Sequence, residues 1–302
     1  MRKTVTEEQH GMSLLQYLKR EMCFSSKLIK HLKFTEGGIT VNGSHATVRR
    51  ILERGDVLEL AFEDEESAPI EPVDLPIEIL YEDEDLVVPS KPANMPTHPS
   101  CDHHYDTVAN ALAFRYAQKG IPFVFRPINR LDRNTSGLLL IAKNRPTAGT
   151  MSADMREGKI QKTYLAVLDG EMKAREGKID APLHRTAQSI ILREVCSPDA
   201  PDADVALTEF RVLAVGNGHT LVQAHPITGR THQLRVHFAH LGFPITGDDL
   251  YGTPSAEISR HALHASSISF PHPKDRHTVA VTAPLAKDFG DLVARYFPTF
   301  KP

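Results

Sequence analysis

The sequence predicts a chain of two unequal domains, each combining helices with short strands. Three observations carry this. The 302 residues are enough for a full core and for more than one domain. An acidic, proline-containing stretch from Glu63 to Pro72 interrupts the pattern early in the chain. On either side of it, helical periodicity alternates with short apolar runs and turn dipeptides. The boundaries read as a domain at 1–63, a connector at 64–76 and a second domain at 77–302.

Composition narrows the class. Hydrophobic residues make up 41% and charged residues 24%, ordinary values for a water-soluble globular chain. No run approaches the ~18 apolar residues of a membrane span, and Met1-Arg-Lys-Thr-Val-Thr lacks the apolar core of a signal peptide. Cys23, Cys101 and Cys196 are distant and odd in number, which argues against a disulfide framework and fits a reducing cytoplasm. The formal charge of −3 hides an uneven distribution. Residues 1–56 carry a net +4, residues 57–85 a net −12 and residues 86–302 a net +5. Local fields, not totals, steer a polyanion, so the two basic segments keep a nucleic-acid partner open.

In the first domain Leu14, Leu15 and Leu18 predict a helix. Ser25 or Ser26 offers an N-cap for a second, Lys27 to Phe34. On its wheel Leu28, Ile29 and Leu32 share one side, and Lys27, Lys30 and His31 the other. Gly37-Gly38-Ile39-Thr40-Val41 then alternates as a strand into an Asn42-Gly43 turn. Arg49 and Arg50 precede a Gly55-Asp56 turn and a strand at Val57–Leu60. Pro69, Pro72 and Pro76 keep the connector from forming a regular helix.

The second domain opens with strands at Ile77–Tyr81 and Leu86–Val88. A helix follows over Thr107–Gln118, capped by Asp106 and ended by Gly120. Cys101, His98, His103 and His104 crowd together, but adjacent histidines diverge on an extended chain and no paired ligand spacing exists; no metal is expected. Leu138 to Ala142 reads as a strand buried on both faces. Pro146–Met155 and Pro284–Phe297 read as helices, Gln161–Val167 as a strand, and Phe210–Val215 with Thr220–Ala224 as a hairpin. Thr231 is the expected N-cap of a helix ended by Gly242. On it Leu234, Phe238 and Leu241 share one face, and His232 and Arg235 another. His264, near a strand start, reads as structural.

The chemistry concentrates in Arg126-Pro-Ile-Asn129-Arg130-Leu-Asp132-Arg133-Asn-Thr-Ser-Gly137-Leu-Leu-Leu. Arg130 and Arg133 bracket Asp132 in a polar loop on the lip of a buried strand. Nearby arginines favour an ionised acid, and a held carboxylate can act as a nucleophile. The plainer reading is an ion pair closing a loop.

Arg130-Leu-Asp132-Arg-Asn-Thr-Ser-Gly-Leu-Leu-Leu resembles the signature of the RluA-type RNA pseudouridine synthases. The resemblance extends to Tyr81-Glu-Asp-Glu-Asp-Leu-Val-Val, Lys91-Pro, His98-Pro-Ser, Lys162-Thr-Tyr164, Gly229-Arg-Thr-His-Gln-Leu234-Arg235-Val-His and Gly247-Asp-Asp-Leu-Tyr-Gly252. It departs at Asn129, where that family commonly has histidine. What it implies is an α+β fold with a mixed, largely antiparallel central sheet flanked by helices, and isomerisation of uridine in RNA without a cofactor. It further implies Asp132 as the catalytic residue and Arg235 as its partner. Tyr164 would lie against the target base with Leu234 packed beside it, and Arg130 would fill the space left by a flipped nucleotide. The first domain resembles the RNA-binding domain of ribosomal protein S-four. That likeness implies RNA-backbone contacts from Lys27, Lys30, Lys33 and Arg50.

The expected partner is RNA, with ribosomal RNA favoured over transfer RNA because of the attached basic domain, and the expected state is a monomer. Two rivals stand beside this reading. A ribosome assembly factor could use the same fold without catalysis, although binding phosphates does not call for Asp132. A glycoside hydrolase would want a second carboxylate close to the first, and neither motif contains one.

Overall fold

The computed structural model describes residues 2–22, 24, 26–61, 70–100, 102–187, 189 and 191–300. The acidic run expected to open the connector, Glu63–Glu66, lies outside these residues, as do Ser25, Cys101 and the side chain of Lys27.

The N-terminal part comprises β1 (Arg2–Thr4), α1 (Leu14–Arg20), α2 (Ser26–Phe34), β2 (Ile39–Val41), β3 (Ser44–His45) and β4 (Val57–Leu60). Its four strands form one sheet in the order β1-β4-β2-β3. Leu14, Leu18, Leu28, Ile29, Leu32, Ile39, Val41, Leu58 and Leu60 form a core of their own beneath it. The apolar side predicted for α2 is therefore the side that is buried, because three residues spaced one, three and four apart meet the sheet together. β1 is an addition to the sequence reading. Its three residues are all exposed, so no apolar alternation marks it, and only its register against β4 makes it a strand.

The rest of the chain adds β5 (Glu78–Glu82), β6 (Leu86–Lys91), α3 (Val108–Gln118), β7 (Arg126–Pro127), β8 (Ser136–Leu138), β9 (Ile141–Ala142) and α4 (Arg145–Arg156). After these come β10 (Gln161–Asp169), β11 (Glu176–Asp180), β12 (Leu183–Arg185), β13 (Arg193–Val195), β14 (Leu207–Gly216) and β15 (His219–Pro226). The chain closes with α5 (Gln233–His240), β16 (Leu263–Pro271), β17 (Thr278–Thr282) and α6 (Lys287–Tyr296). Eleven strands make one sheet in the order β11-β14-β15-β10-β16-β8-β6-β9-β7, with β17 beside β16 and β5 beside β6. Among the described residues its pairs are antiparallel except β8 with β16, which run parallel. This is the mixed, largely antiparallel α+β architecture that the resemblance implied.

Both faces of the sheet are covered. Val87, Leu139 and Ile141 join the core under α3 and α6, and Leu86, Val88, Leu138, Leu140 and Ala142 join a second core with Met151 of α4. Alternate residues of a strand point to opposite faces, which is why the continuous apolar run at 138–142 is needed. That run is not one strand, however. It breaks between β8 and β9, and Asn129 fills the break: its Oδ1 accepts the Leu140 amide at 2.7 Å and its Nδ2 donates to the Leu138 carbonyl at 3.4 Å.

Two helix starts also differ from expectation. Thr107, not Asp106, caps α3, accepting the Asn110 amide, and Asp106 bonds His103 instead. The cap of α5 is His232, not Thr231, and it makes no side-chain cap bond. Leu241, expected on the apolar face of α5, is 39% exposed at its C-cap, while Gln233 through Phe238 are all buried.

Gly137 sits where β8 lies parallel to β16. Its φ is +109°, and a Cβ there would strike the backbone of Ala265. Gly137→Ala is therefore expected to cost roughly 3 kcal/mol or more. Gly149→Ala, inside α4 and facing nothing nearer than 3.8 Å, should be neutral or stabilising by about 0.5–1 kcal/mol. Denaturant midpoints of the two variants check the contrast.

Candidate active site

A cavity of about 910 Å³ opens between the loop carrying Asp132, the start of β10, and the segment that runs from β15 into α5. Among the described residues five cations line it, Arg130, Arg156, Lys162, Arg230 and Arg235, against a single acid, Asp132. Tyr164 and Leu234 supply apolar wall. The volume suits one small ligand or nucleotide, and the excess of cations suits one attached to phosphates.

The Asp132 loop is clamped from behind by groups distant in sequence. Thr97 Oγ1 donates to the Leu131 carbonyl at 3.0 Å and accepts the Leu131 amide at 3.3 Å. The buried Lys91 ammonium donates to the carbonyls of Arg133, Met95 and Pro92 at 2.8, 2.8 and 2.9 Å. Arg260 donates from Nη1 to the Asn134 carbonyl at 2.9 Å and from Nη2 to Ser136 Oγ at 3.1 Å, while Asp288 holds its other edge. Thr135 Oγ1 bonds His261 Nε2 at 2.8 Å. Burial lowers the Lys91 pKa to about 7, with the Arg260 charge adding to the effect and Asp132 opposing it. Burial likewise takes His261 down to about 3, so that imidazole is a neutral partner of Thr135.

Arg235 reaches the same cavity from α5. Its Nη1 lies 3.7 Å from Asp132 Oδ2, so the two residues predicted to pair are together. Its main partner is another residue. Nε and Nη2 each donate to the fully buried Asp248 carboxylate at 2.7 Å, and the Leu250 and Tyr251 amides donate to Asp248 Oδ1 at 3.0 and 3.1 Å. Burial raises the Asp248 pKa, but the Arg235 bonds and charge and the Leu250 amide outweigh it, and the net shift is downward.

Arg130 and Arg133, the cations that flank Asp132 in sequence, make no ion pair with it among the described residues. Arg133 turns to Asn94, with Nε at 2.9 Å, and Arg130 is exposed at the rim. Neighbours in a loop point in different directions, so proximity in sequence misassigned the cation. Tyr164 is 8% exposed, and a β-bulge between Thr163 and Tyr164 sets its direction. Burial first, and then the Asp132 charge, push its hydroxyl pKa upward, so it stays protonated. Leu234 is 5% exposed and lines the cavity as predicted.

The basic candidates of the N-terminal part are separate from this cavity. Lys30 and Lys33 are exposed on α2, whereas Arg50 lies 3.6 Å from Asp56 and is partly engaged there. A possible ligand cluster elsewhere, His272, Asp275 and His277, is already occupied by hydrogen bonds. His272 Nε2 contacts Asp83 at 3.0 Å, its Nδ1 accepts the Lys274 amide at 3.2 Å, and His277 Nδ1 contacts Asp275 at 2.5 Å.

The sequence reading did not single out Asp248, Lys91, Arg260 or Tyr251 as parts of the site. The one signal for Asp248 was its place in Gly247-Asp248-Asp249, a turn with two acids: Asp248 is buried on Arg235 at 2.7 Å, and the exposed Asp249 lies 3.5 Å from the same nitrogen.

Comparison with known proteins agrees with the geometry. Residues 85–240 match the family described as RNA pseudouridylate synthase. A protein of Bacillus subtilis (strain 168), named uncharacterized RNA pseudouridine synthase YjbO, is 38% identical over 276 residues, covering 90% of this chain and 95% of its own. The ribosomal large subunit pseudouridine synthase C of Vibrio cholerae is 32% identical over 298 residues, covering 93% of this chain and 92% of its own. The solved structure of human RNA pseudouridylate synthase domain containing 1 superposes with a TM-score of 0.57 at 26% identity, covering 79% of this chain and 100% of that one.

Removing Asp248 leaves the Arg235 charge buried without its bidentate partner. Asp248→Ala is expected to lose about 3–5 kcal/mol of stability. Because the Asp248 pKa is lower in the folded chain than in the unfolded one, its contribution is full above about pH 4 and drains as pH falls further. Acid unfolding followed by circular dichroism should be shallower in Asp248→Asn than in the parent between about pH 4 and 2.

Proposed function

The chain belongs to the RNA pseudouridylate synthase family, and on that premise we propose that it isomerises uridines of structured RNA, ribosomal RNA first, through the Asp132 carboxylate. One observation carries the assignment: among the described residues Asp132 is the single acid of a cation-lined cavity, 3.7 Å from the buried Arg235.

The reaction breaks the bond between ribose C1′ and uracil N1, turns the base, and joins C1′ to C5. The C5 proton leaves and N1 gains one, so nothing is oxidised and no cofactor takes part. The clamp of Thr97, Lys91 and Arg260 fixes the loop, so Asp132 meets the nucleotide without a search through rotamers and loop states. Tyr164 and Leu234 form the slot in which the freed uracil turns while water is kept out. A uridine within a helix must first be flipped out, at a cost of a few kcal/mol. Arg130, exposed on the loop, is placed to fill the space it leaves.

Ribosomal RNA is the proposed substrate because relatives that align along most of this chain are named for the large ribosomal subunit. The N-terminal part supplies a second hold. We read it as a domain like that of ribosomal protein S-four, with Lys30 and Lys33 on the open side of α2 meeting phosphates and Arg50 adding a weaker contact. Such contacts position the RNA without choosing the uridine.

The test is a pseudouridine map of ribosomal and transfer RNA from cells lacking the protein, and from the same cells restored with the parent chain or Asp132→Asn. Sites that vanish and return only with the parent are expected in ribosomal RNA. Purified Asp132→Asn should fold and bind RNA normally while losing roughly 10⁴-fold or more in turnover. An unchanged map, in cells with no overlapping enzyme, would favour a binding protein instead.

A further inference from the structure

His232 is the cavity residue whose backbone and hydrogen bonding both need a reason. Its φ of +58° and ψ of 17° lie in the left-handed region, uncommon for any residue but glycine, although histidine enters it more often than most, as asparagine and aspartate do. It gains no capping bond in return. The cost is borne next to Asp132 and Arg235, where strained residues tend to be functional.

The ring is oriented by a second residue. Tyr251 Oη accepts the Arg193 amide at 3.0 Å and lies 2.8 Å from His232 Nδ1. Among the described residues the Tyr251 hydroxyl has no other acceptor, and we assign its proton to Nδ1. A neutral ring then carries its own proton on Nε2. Burial lowers the imidazole pKa, against the pull of Asp132 and with the help of Arg235, which favours that neutral form. Tyr251 is fixed in turn, because the Arg235 guanidinium carbon lies 5.2 Å over its ring. Asp248, Arg235, Tyr251 and His232 thus form one chain of contacts that ends at the cavity wall.

We propose that His232 Nε2–H donates a hydrogen bond to a carbonyl oxygen of the uracil while the base is detached from the sugar. The inference rests on the reading of the cavity given above. When the C1′–N1 bond breaks, its electron pair stays with the base as negative charge shared by N1 and the two carbonyl oxygens, and a fixed donor stabilises that charge. His232 keeps its proton throughout. The symmetry of uracil makes one donor sufficient. Half a turn about the N3–C6 axis exchanges N1 with C5 and also exchanges the C2 and C4 carbonyl oxygens. A donor that holds one oxygen before the turn meets the other after it, so the turned base is registered with C5 facing C1′.

The test uses the full chain and an unmodified large-subunit ribosomal RNA transcript, measuring single-turnover pseudouridine formation and RNA affinity separately. His232→Asn accepts the left-handed backbone and can still reach Tyr251, but it is too short to replace Nε2. It should react roughly 10²–10³-fold more slowly, with RNA affinity changed less than about threefold. His232→Gln, whose amide nitrogen extends to about the place of Nε2, should recover at least tenfold of that loss (an order-of-magnitude expectation from the same donor energetics). A parental rate in His232→Asn, or a His232→Gln no faster than His232→Asn, would overturn the proposal while leaving the parent's activity and the effect of Asp132→Asn intact. A parent chain that forms no pseudouridine in ribosomal or transfer RNA would overturn the reading beneath it as well.

Discussion

The structure is organised around the charge on Arg235. A guanidinium at 4% side-chain exposure cannot stand alone in a protein interior; it needs a bidentate acceptor and a place for the remaining nitrogen. Asp248 provides the first and Asp132 the second. Because Asp248 takes two of the short bonds, Arg235 is immobile before any substrate arrives, and the 3.7 Å approach to Asp132 is set by the fold and not by a flexible surface pair. The pair also explains why α5 is buried around most of its circumference: a helix bearing this charge must be enclosed by groups that satisfy it.

A second set of buried cations does comparable work on the other side of the loop. Lys91 and Arg260 point at backbone carbonyls, not at carboxylates, when they meet the Asp132 loop. They hold its shape without competing for the acid. The cavity thus receives a carboxylate whose backbone is fastened by cations from beneath and whose side chain is free to meet a ligand.

How far this could be read from the sequence depends on what each residue's surroundings are made of. The run at 138–142 was legible because burial on both faces leaves no polar position, and the basic and apolar sides of α2 were legible because helical spacing sorts them. The gathering of Asp132, Tyr164, Leu234 and Arg235 into one cavity was foreseen through motif resemblance. Elementary spacing could not have supplied it, since the four stand on three separate parts of the fold. The errors were local. Asp106 and Thr231 are good capping residues by type, yet the backbone began each helix one residue later. Read from the loop alone, the cations for Asp132 were Arg130 and Arg133, because a sequence displays neighbours along the chain and conceals neighbours in space; Arg235 was named only through the motif resemblance. The first partner of Arg235 was invisible for the same reason.

The parallel contact between β8 and β16 carries a consequence for how the protein comes into being. Thr135 is bound by His261, 126 residues later, and Ser136 by His264, 128 residues later. At synthesis rates of roughly 5–20 residues per second, on the order of ten seconds pass between the appearance of the Asp132 loop and that of the groups that fasten it. Until then the loop has lost part of its support and the parallel pair does not exist, so a nascent chain holds the acid without the geometry. The fastening of the loop is therefore complete only once the chain has been made through His264.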